Sequence, residues 1–294
     1  MRNLIASAAC IVLASACAIP GPPLSTSVAA KVTGAATEQR ITFDGIDRGY
    51  LLWRPEGLAI SKPAALVIAM HGYTSNAREM ESMSNLDEVA SENGFVVVYP
   101  EGLARSWNAG WCCNRNSNDD VGFISALIDR IAIAENIDRS RILATGMSNG
   151  AMMSQRLACE LAGKVTAAVS VSGSLLLSTC RPSRPVSLLE FHGVADTVVP
   201  IKGGFRAGLG TFRSTMSVLQ EWAAIDGCAP EPAIADGPGA TTYTWGSCKA
   251  RTRVVLEAVK RGSHSWFGPQ DATGEPDASR LAWHFLMEAP PLPD

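Results

Sequence analysis

Histidine is scarce in this chain of 294 residues, which holds four, at positions 71, 192, 264 and 284. Basic charge is not in excess either. The formal net charge is −3 and the isoelectric point is near 5.9, so the electrostatic footprint of a nucleic-acid binder is missing. No C-x-x-C pair occurs and no histidine lies close to the cysteines, which argues against a structural zinc site. The apolar run at 4–16 is too short to cross a bilayer as a helix. Charged residues make up only 18%, whereas 47% are hydrophobic, a composition that builds a packed core and excludes a disordered chain.

The N-terminus has the pattern of an export signal. Arg2 precedes the apolar run, and Ala14-Ser15-Ala16 fits a signal-peptidase site, giving a signal peptide over 1–16. Leu13-Ala14-Ser15-Ala16-Cys17 also fits a degenerate lipobox, in which Cys17 would carry lipid and be the chain's one link to a membrane. Release, retention in a periplasm and lipid anchoring all stay open. Residues 17–37, with Pro20, Pro22 and Pro23, have the composition of a flexible tether. Beyond Cys10 and Cys17 there are six cysteines, and an even number in an exported chain favours disulfides. Cys228 and Cys248 bracket a Gly/Pro-rich excursion and are expected to pair. Cys112, Cys113, Cys159 and Cys180 allow three pairings, one of them vicinal.

Continuous apolar runs at 64–70, 95–99, 142–145, 167–171, 186–191 and 254–259 suit strands buried on both faces of a largely parallel sheet. Residues 40–43 and 50–53 look like an antiparallel pair around Asp44-Gly45. Helical spacing appears after Asp119-Asp120, a candidate cap, and at 80–93, 151–162, 211–225 and 278–288. This alternation predicts a doubly wound α/β sandwich, one domain over 38–290 with helices on both faces.

Gly146-Met147-Ser148-Asn149-Gly150 joins one of these strands to a helix. A G-x-S-x-G turn in that setting is the nucleophile elbow of the α/β-hydrolases. Its two glycines answer a turn too tight for a Cβ on either side of the serine. A serine hydroxyl needs a base, and the triad runs in the order serine, acid, histidine, with the histidine on the loop after the last strand. Only His264 meets both conditions, since His71 and His192 end earlier strands and His284 lies in the last helix. The acid should leave the carboxyl end of a strand between the two, which selects Asp196 over Asp226, Asp236 and the mid-strand Glu190. Oxyanion donors are expected from the backbone amides of Asn149 and Tyr73, with Thr74 in reserve. Trp107, Trp111 and Trp266 are candidate substrate contacts, with core packing the competing account for the first two. Asp119 and Asp120 fit helix capping better than catalysis.

Together HGYTSN (71–76), WNAGWCC (107–113), DDVGFI (119–124), GMSNGAM (146–152), HGVADTVVP (192–200) and GSHSWFG (262–268) resemble the secreted polyhydroxybutyrate depolymerase and feruloyl esterase family of serine esterases. The resemblance covers nearly all of the chain after the tether. It implies an α/β-hydrolase fold with no metal or cofactor, a triad of Ser148, Asp196 and His264, and an ester substrate. Its last motif usually has the form G-G-H-T-W-P-G, so Ser263, Ser265 and Phe267 alter the pocket wall here. Hydroxycinnamoyl esters of plant polysaccharide are the first expectation and poly(3-hydroxybutyrate) oligomers the second. The chain stops at Asp294, soon after its last helix, so no appended polymer-binding module is expected. A serine peptidase on the same fold, or a surface-tethered binding protein without turnover, are the rivals.

Overall fold

In a computed structural model of the chain, the described residues are 36–59, 61–113, 117–268 and 275–292. The expected signal peptide, the candidate lipid site at Cys17 and the expected tether as far as residue 35 lie outside them. The chain enters the fold at β1 (Thr37–Phe43), which forms a hairpin with β2 (Ile46–Trp53) around Asp44-Gly45. There follow β3 (Ala64–Met70), α1 (Ala77–Ser84), α2 (Leu86–Asn93), β4 (Val96–Pro100), α3 (Asp120–Ala134), β5 (Ile137–Met147) and α4 (Asn149–Glu160). Then come β6 (Ala167–Val171), β7 (Ser187–Gly193), β8 (Gly204–Arg206), β9 (Gly210–Phe212) and α5 (Thr215–Ile225). The described chain closes with β10 (Ala233–Asp236), β11 (Ala240–Trp245), β12 (Val254–Val259) and α6 (Ala278–Glu288).

Ten of these strands form one sheet in the order β1-β2-β4-β3-β5-β6-β7-β12-β11-β10. The six central strands, β4 to β12, run parallel, and an antiparallel hairpin extends each edge. Alternation along the strands divides the core. Val67, Val97, Val169 and Phe191 face α1, α2 and α6, whereas Leu66, Ile68 and Met70 face α3 and α4 on the other side. Ala168, Leu188 and Leu256 complete that second face beneath α5. Burial on both sides explains the uninterrupted apolar runs of the inner strands. The architecture is the expected doubly wound α/β-hydrolase sheet.

Several boundaries differ from those the sequence predicts. The helical stretch at 80–93 is two helices, because Asn85 adopts a left-handed conformation (φ 52°) that ends α1 and starts α2. The predicted helix at 211–225 begins only at Thr215, capped by Ser214, since Gly210–Phe212 pairs with β8 as a small ribbon. The Gly/Pro-rich excursion between Cys228 and Cys248 contains β10 and β11 and extends the sheet. Cys228–Cys248 is bonded, and the other bridges are Cys159–Cys180 and the vicinal Cys112–Cys113. Asp119 caps α3 by accepting from the Gly122 amide. Asp120 does something else: it is buried and paired with Arg48 at 2.9 Å.

Candidate active site

Ser148 follows β5 directly and is the N-cap of α4, with φ 55° and ψ −116°. A β-carbon in that left-handed region is strained, and the strain lifts the hydroxyl clear of the sheet edge. Both flanking glycines are required by contact. A Cβ on Gly146 would lie 2.5 Å from the Gly150 carbonyl carbon, and one on Gly150 would lie 2.1 Å from the Met70 oxygen. The Ser148 amide bonds to the Val171 carbonyl at 2.9 Å, pinning the turn to the end of β6.

Adjacent parallel strands bring the other two candidates together. β7 and β12 are neighbours with Gly193 opposite Val259, so the loops leaving their carboxyl ends run side by side. The Val194 amide donates to Val259 and the Ala195 amide to Gly262. Gly193 permits this approach, because a Cβ there would meet the Gly262 oxygen at 2.3 Å. Asp196 and His264 consequently face each other, with Asp196 Oδ2 2.8 Å from His264 Nδ1. The opposite ring nitrogen, Nε2, is 2.9 Å from Ser148 Oγ. Hydroxyl, imidazole and carboxylate thus form one hydrogen-bonded chain from three separate loops.

Asp196 is held as an anion. Burial raises its pKa, but the hydrogen bond and charge of His264 and the amides of Val199 and Val198 outweigh it, leaving the carboxyl below its ordinary value. Both amides donate to Oδ1, at 2.8 and 2.9 Å, so Oδ2 is left to face the imidazole. The rival acids are placed elsewhere. Asp226 accepts from the Val186 amide and the Thr252 hydroxyl, and burial pushes it up to about 6. Asp236 is exposed on the edge strand and pairs with Lys260.

The loop after β3 lies against the elbow, for a Cβ on Gly72 would sit 3.6 Å from that of Ser148. The Thr74 amide is engaged by the Arg105 carbonyl at 2.8 Å, which leaves the Tyr73 amide as that loop's candidate donor. Asn149 is the first residue of α4, and first-turn amides of a helix have no partner within it. His71 orients the loop. Its Nδ1 bonds to the Gly72 carbonyl at 2.8 Å and its Nε2 accepts from the Gly102 amide at 2.9 Å. Because a trans peptide directs its C=O and N–H oppositely, holding the Gly72 oxygen also aims the Tyr73 amide.

Burial, the dominant influence, pushes the His71 pKa below that of a free imidazole. The unfolded chain therefore binds this proton more readily. Stability from His71 is complete above about pH 6.5 and is lost as pH falls below it. On moving from pH 8 to 5, wild-type protein should lose more denaturant stability than His71→Gln, and equal losses in the two would contradict this role.

Some site residues escape the sequence patterns. Asn149 contributes its side chain as well as its amide: Oδ1 accepts from the Trp107 amide at 2.7 Å and Nδ2 donates to the Trp107 carbonyl at 3.1 Å. Trp107 is fully buried and its indole donates to the His71 carbonyl. This removes it from direct substrate contact and makes it a brace between the elbow and the loop after β3. Trp266 is also corrected, since its indole is buried in the core on the α6 side and donates to Ser279. Trp111 remains exposed and its ring packs against Phe212 at 5.2 Å. Ser148, His264, Tyr73 and Phe212 line a cavity of about 190 Å³. A larger hollow of about 440 Å³ lies at the β1–β2 edge among the ion-paired Arg78, Glu38 and Arg40 and contains none of the triad.

Behind Asp196 lies a second buried pair. His192 Nδ1 is 2.9 Å from Glu190 Oε1, and its Nε2 is 2.7 Å from the Val199 carbonyl and 3.6 Å from Asp196 Oδ2. A carbonyl only accepts, so Nε2 carries hydrogen, and the Glu190 carboxylate attracts a second proton to Nδ1. Burial alone would lower the His192 pKa; Glu190 reverses this and raises it. Glu190 also accepts from the Gly173 amide and from Gln155. Glu190 and His192 stand two apart on β7 and share a face, a period-2 signal that could have linked them in the sequence. Glu190→Gln removes the carboxylate from this buried pair and should cost about 3 kcal/mol, or about 6 °C of melting temperature for a chain of this size. An unchanged transition would show that the pair carries no charge.

Among the described residues no group of His, Cys, Asp and Glu converges as a metal site. Residues 115–209 match the Phospholipase/Carboxylesterase family. Feruloyl esterase B of Piromyces equi is 30% identical over 247 residues, covering 80% of this chain but 44% of its own length, so the chain spans under half of that relative. Feruloyl esterase C of Emericella nidulans is 27% identical over 251 residues, with 82% of this chain and 84% of the relative covered. Among solved structures, an acetyl xylan esterase from Aspergillus awamori superposes with a TM-score of 0.63 at 17% identity, over 85% of this chain and 99% of that one, a likeness of fold. The chain has the α/β-hydrolase fold, and its sequence is similar to the feruloyl esterases over most of its described length.

Proposed function

We propose that this protein is an exported serine esterase that releases hydroxycinnamoyl groups from plant polysaccharide through an acyl-enzyme. The observation carrying this reading is the chain of hydrogen bonds from Ser148 Oγ through His264 to Asp196, opening on a small apolar cavity. Ser148 Oγ attacks the ester carbonyl as His264 Nε2 takes its proton. The oxyanion that forms is met by the amides of Tyr73 and Asn149, the latter at the positive end of α4. Asp196 fixes the ring tautomer and stabilises the imidazolium. His264 then returns the proton to the leaving alcohol, and water repeats the sequence to free the acid.

The relatives named feruloyl esterase support the substrate class. The cavity supports it too, because apart from Tyr73, Ser148 and His264 its lining offers no hydrogen-bonding oxygen or nitrogen side chain. Both acyl classes carry a hydroxyl, so what this lining favours is the larger apolar surface of the aromatic ring. Three disulfides among the described residues and the short apolar N-terminal run support export to an oxidising compartment. A hydrolysis panel of methyl ferulate, acetylated xylan and 3-hydroxybutyrate oligomers tests the assignment. Methyl ferulate should give the highest kcat/KM, and a preference for either other substrate would replace the hydroxycinnamoyl reading.

A further inference from the structure

The vicinal bridge Cys112–Cys113 lies on the wall of the cavity that holds Ser148 and His264. Its place there is unlike that of the other two bridges. Cys159–Cys180 and Cys228–Cys248 span 21 and 20 residues and restrain the unfolded chain. A bridge between sequence neighbours closes no loop of consequence, so chain-entropy stabilisation does not account for it. What it does is local. It joins the two side chains into a small ring fused to the backbone, with Cys113 in the left-handed region at φ 76°. It also replaces two thiol donors by a sulfur face that has no hydrogen to give.

That face is rigidly tied to the nucleophile. The segment before it is anchored at Trp107 by the Asn149 side chain, and at Asn108 by Asp120 and Arg156. Gly110 bridges to Leu176, and a Cβ on Gly110 would strike the Leu176 side chain at 2.6 Å. Met152 adds a third sulfur to the same cavity from the first turn of α4, where its amide bonds to the Ser148 carbonyl. Phe212 lines the same cavity, its ring packed against that of Trp111, the neighbour of Cys112. A cavity lined by polarisable sulfur and an aromatic residue suits a flat aromatic guest, since sulfur and aromatic rings attract one another.

We propose that the Cys112–Cys113 bridge, with Met152, is the specificity-determining wall of the acyl site and favours flat aromatic acyl groups over aliphatic ones. The inference rests on the ester-hydrolase reading of the same cavity. The test compares kcat/KM for p-nitrophenyl cinnamate, hexanoate and acetate in wild type and in Cys112→Ala/Cys113→Ala. The cinnamate-to-acetate ratio should fall about tenfold in the variant, and the cinnamate-to-hexanoate ratio should fall with it. Cys228→Ala/Cys248→Ala serves as control: it should lower the melting temperature and leave both ratios unchanged. Ratios that stay fixed in the vicinal variant would overturn the wall, even if all rates declined together. Wild type that cleaves acetate but not cinnamate would also overturn it, while leaving esterase activity standing. Wild type that cleaves none of the esters would overturn the function and the wall alike.

Discussion

Ser148→Ala is expected to lower kcat by about 10⁶, with substrate affinity nearly unchanged. The hydroxyl lies at the cavity and has a base on it, His264 Nε2 at 2.9 Å. Removing it leaves the cavity, the α4 terminus and the amides of Tyr73 and Asn149 in place. Those groups sustain about 10³–10⁴ of rate enhancement over water in hydrolases built on this principle, so a small residual rate is part of the expectation. Because Ser148 has a strained backbone (φ 55°), alanine carries the same strain and the melting temperature should hold. Steady-state kinetics beside thermal unfolding separates loss of chemistry from loss of fold.

Asp196→Asn should lower kcat by about 10⁴, for a reason specific to its surroundings. Oδ1 accepts two backbone amides, from Val198 and Val199. The amide oxygen of an asparagine must take that position, since an NH₂ there would oppose two N–H groups. Its NH₂ is then forced toward His264 Nδ1, which can answer only as an acceptor. The ring's hydrogen moves to Nε2, and an Nε2 that already carries hydrogen cannot take the proton of Ser148. The loss should therefore fall on kcat, with KM changing little. A variant within tenfold of wild type would mean that Asp196 does not set the tautomer.

The convergence of Ser148, His264 and Asp196 was legible because its logic is topological. β7 and β12 announce themselves as apolar runs, and Asp196 and His264 lie in the loops that leave their carboxyl ends. Strand adjacency then does what no local pattern shows, setting Gly193 beside Val259. The tryptophans were illegible for the opposite reason. Trp107, Trp111 and Trp266 all flank motif residues, yet one braces the elbow, one lies exposed against Phe212 and one is core. Their partners lie on other elements, beyond any local pattern, and an aromatic side chain announces only that it wants burial. Asn85 broke a helix that periodicity alone would continue, because the apolar spacing of α1 and α2 stays nearly in phase across a single left-handed residue. The β10–β11 hairpin hid behind its glycines and prolines, and its edge position explains the exposed side chains of β10 that left no alternation to detect.

The most direct test of the account is to treat the folded protein with a fluorophosphonate and locate the adduct by peptide mass spectrometry. One adduct per chain is expected, on Ser148, slowed in Asp196→Asn and absent from Ser148→Ala. An adduct on a different residue, or none on protein that is hydrolysing esters, would contradict it.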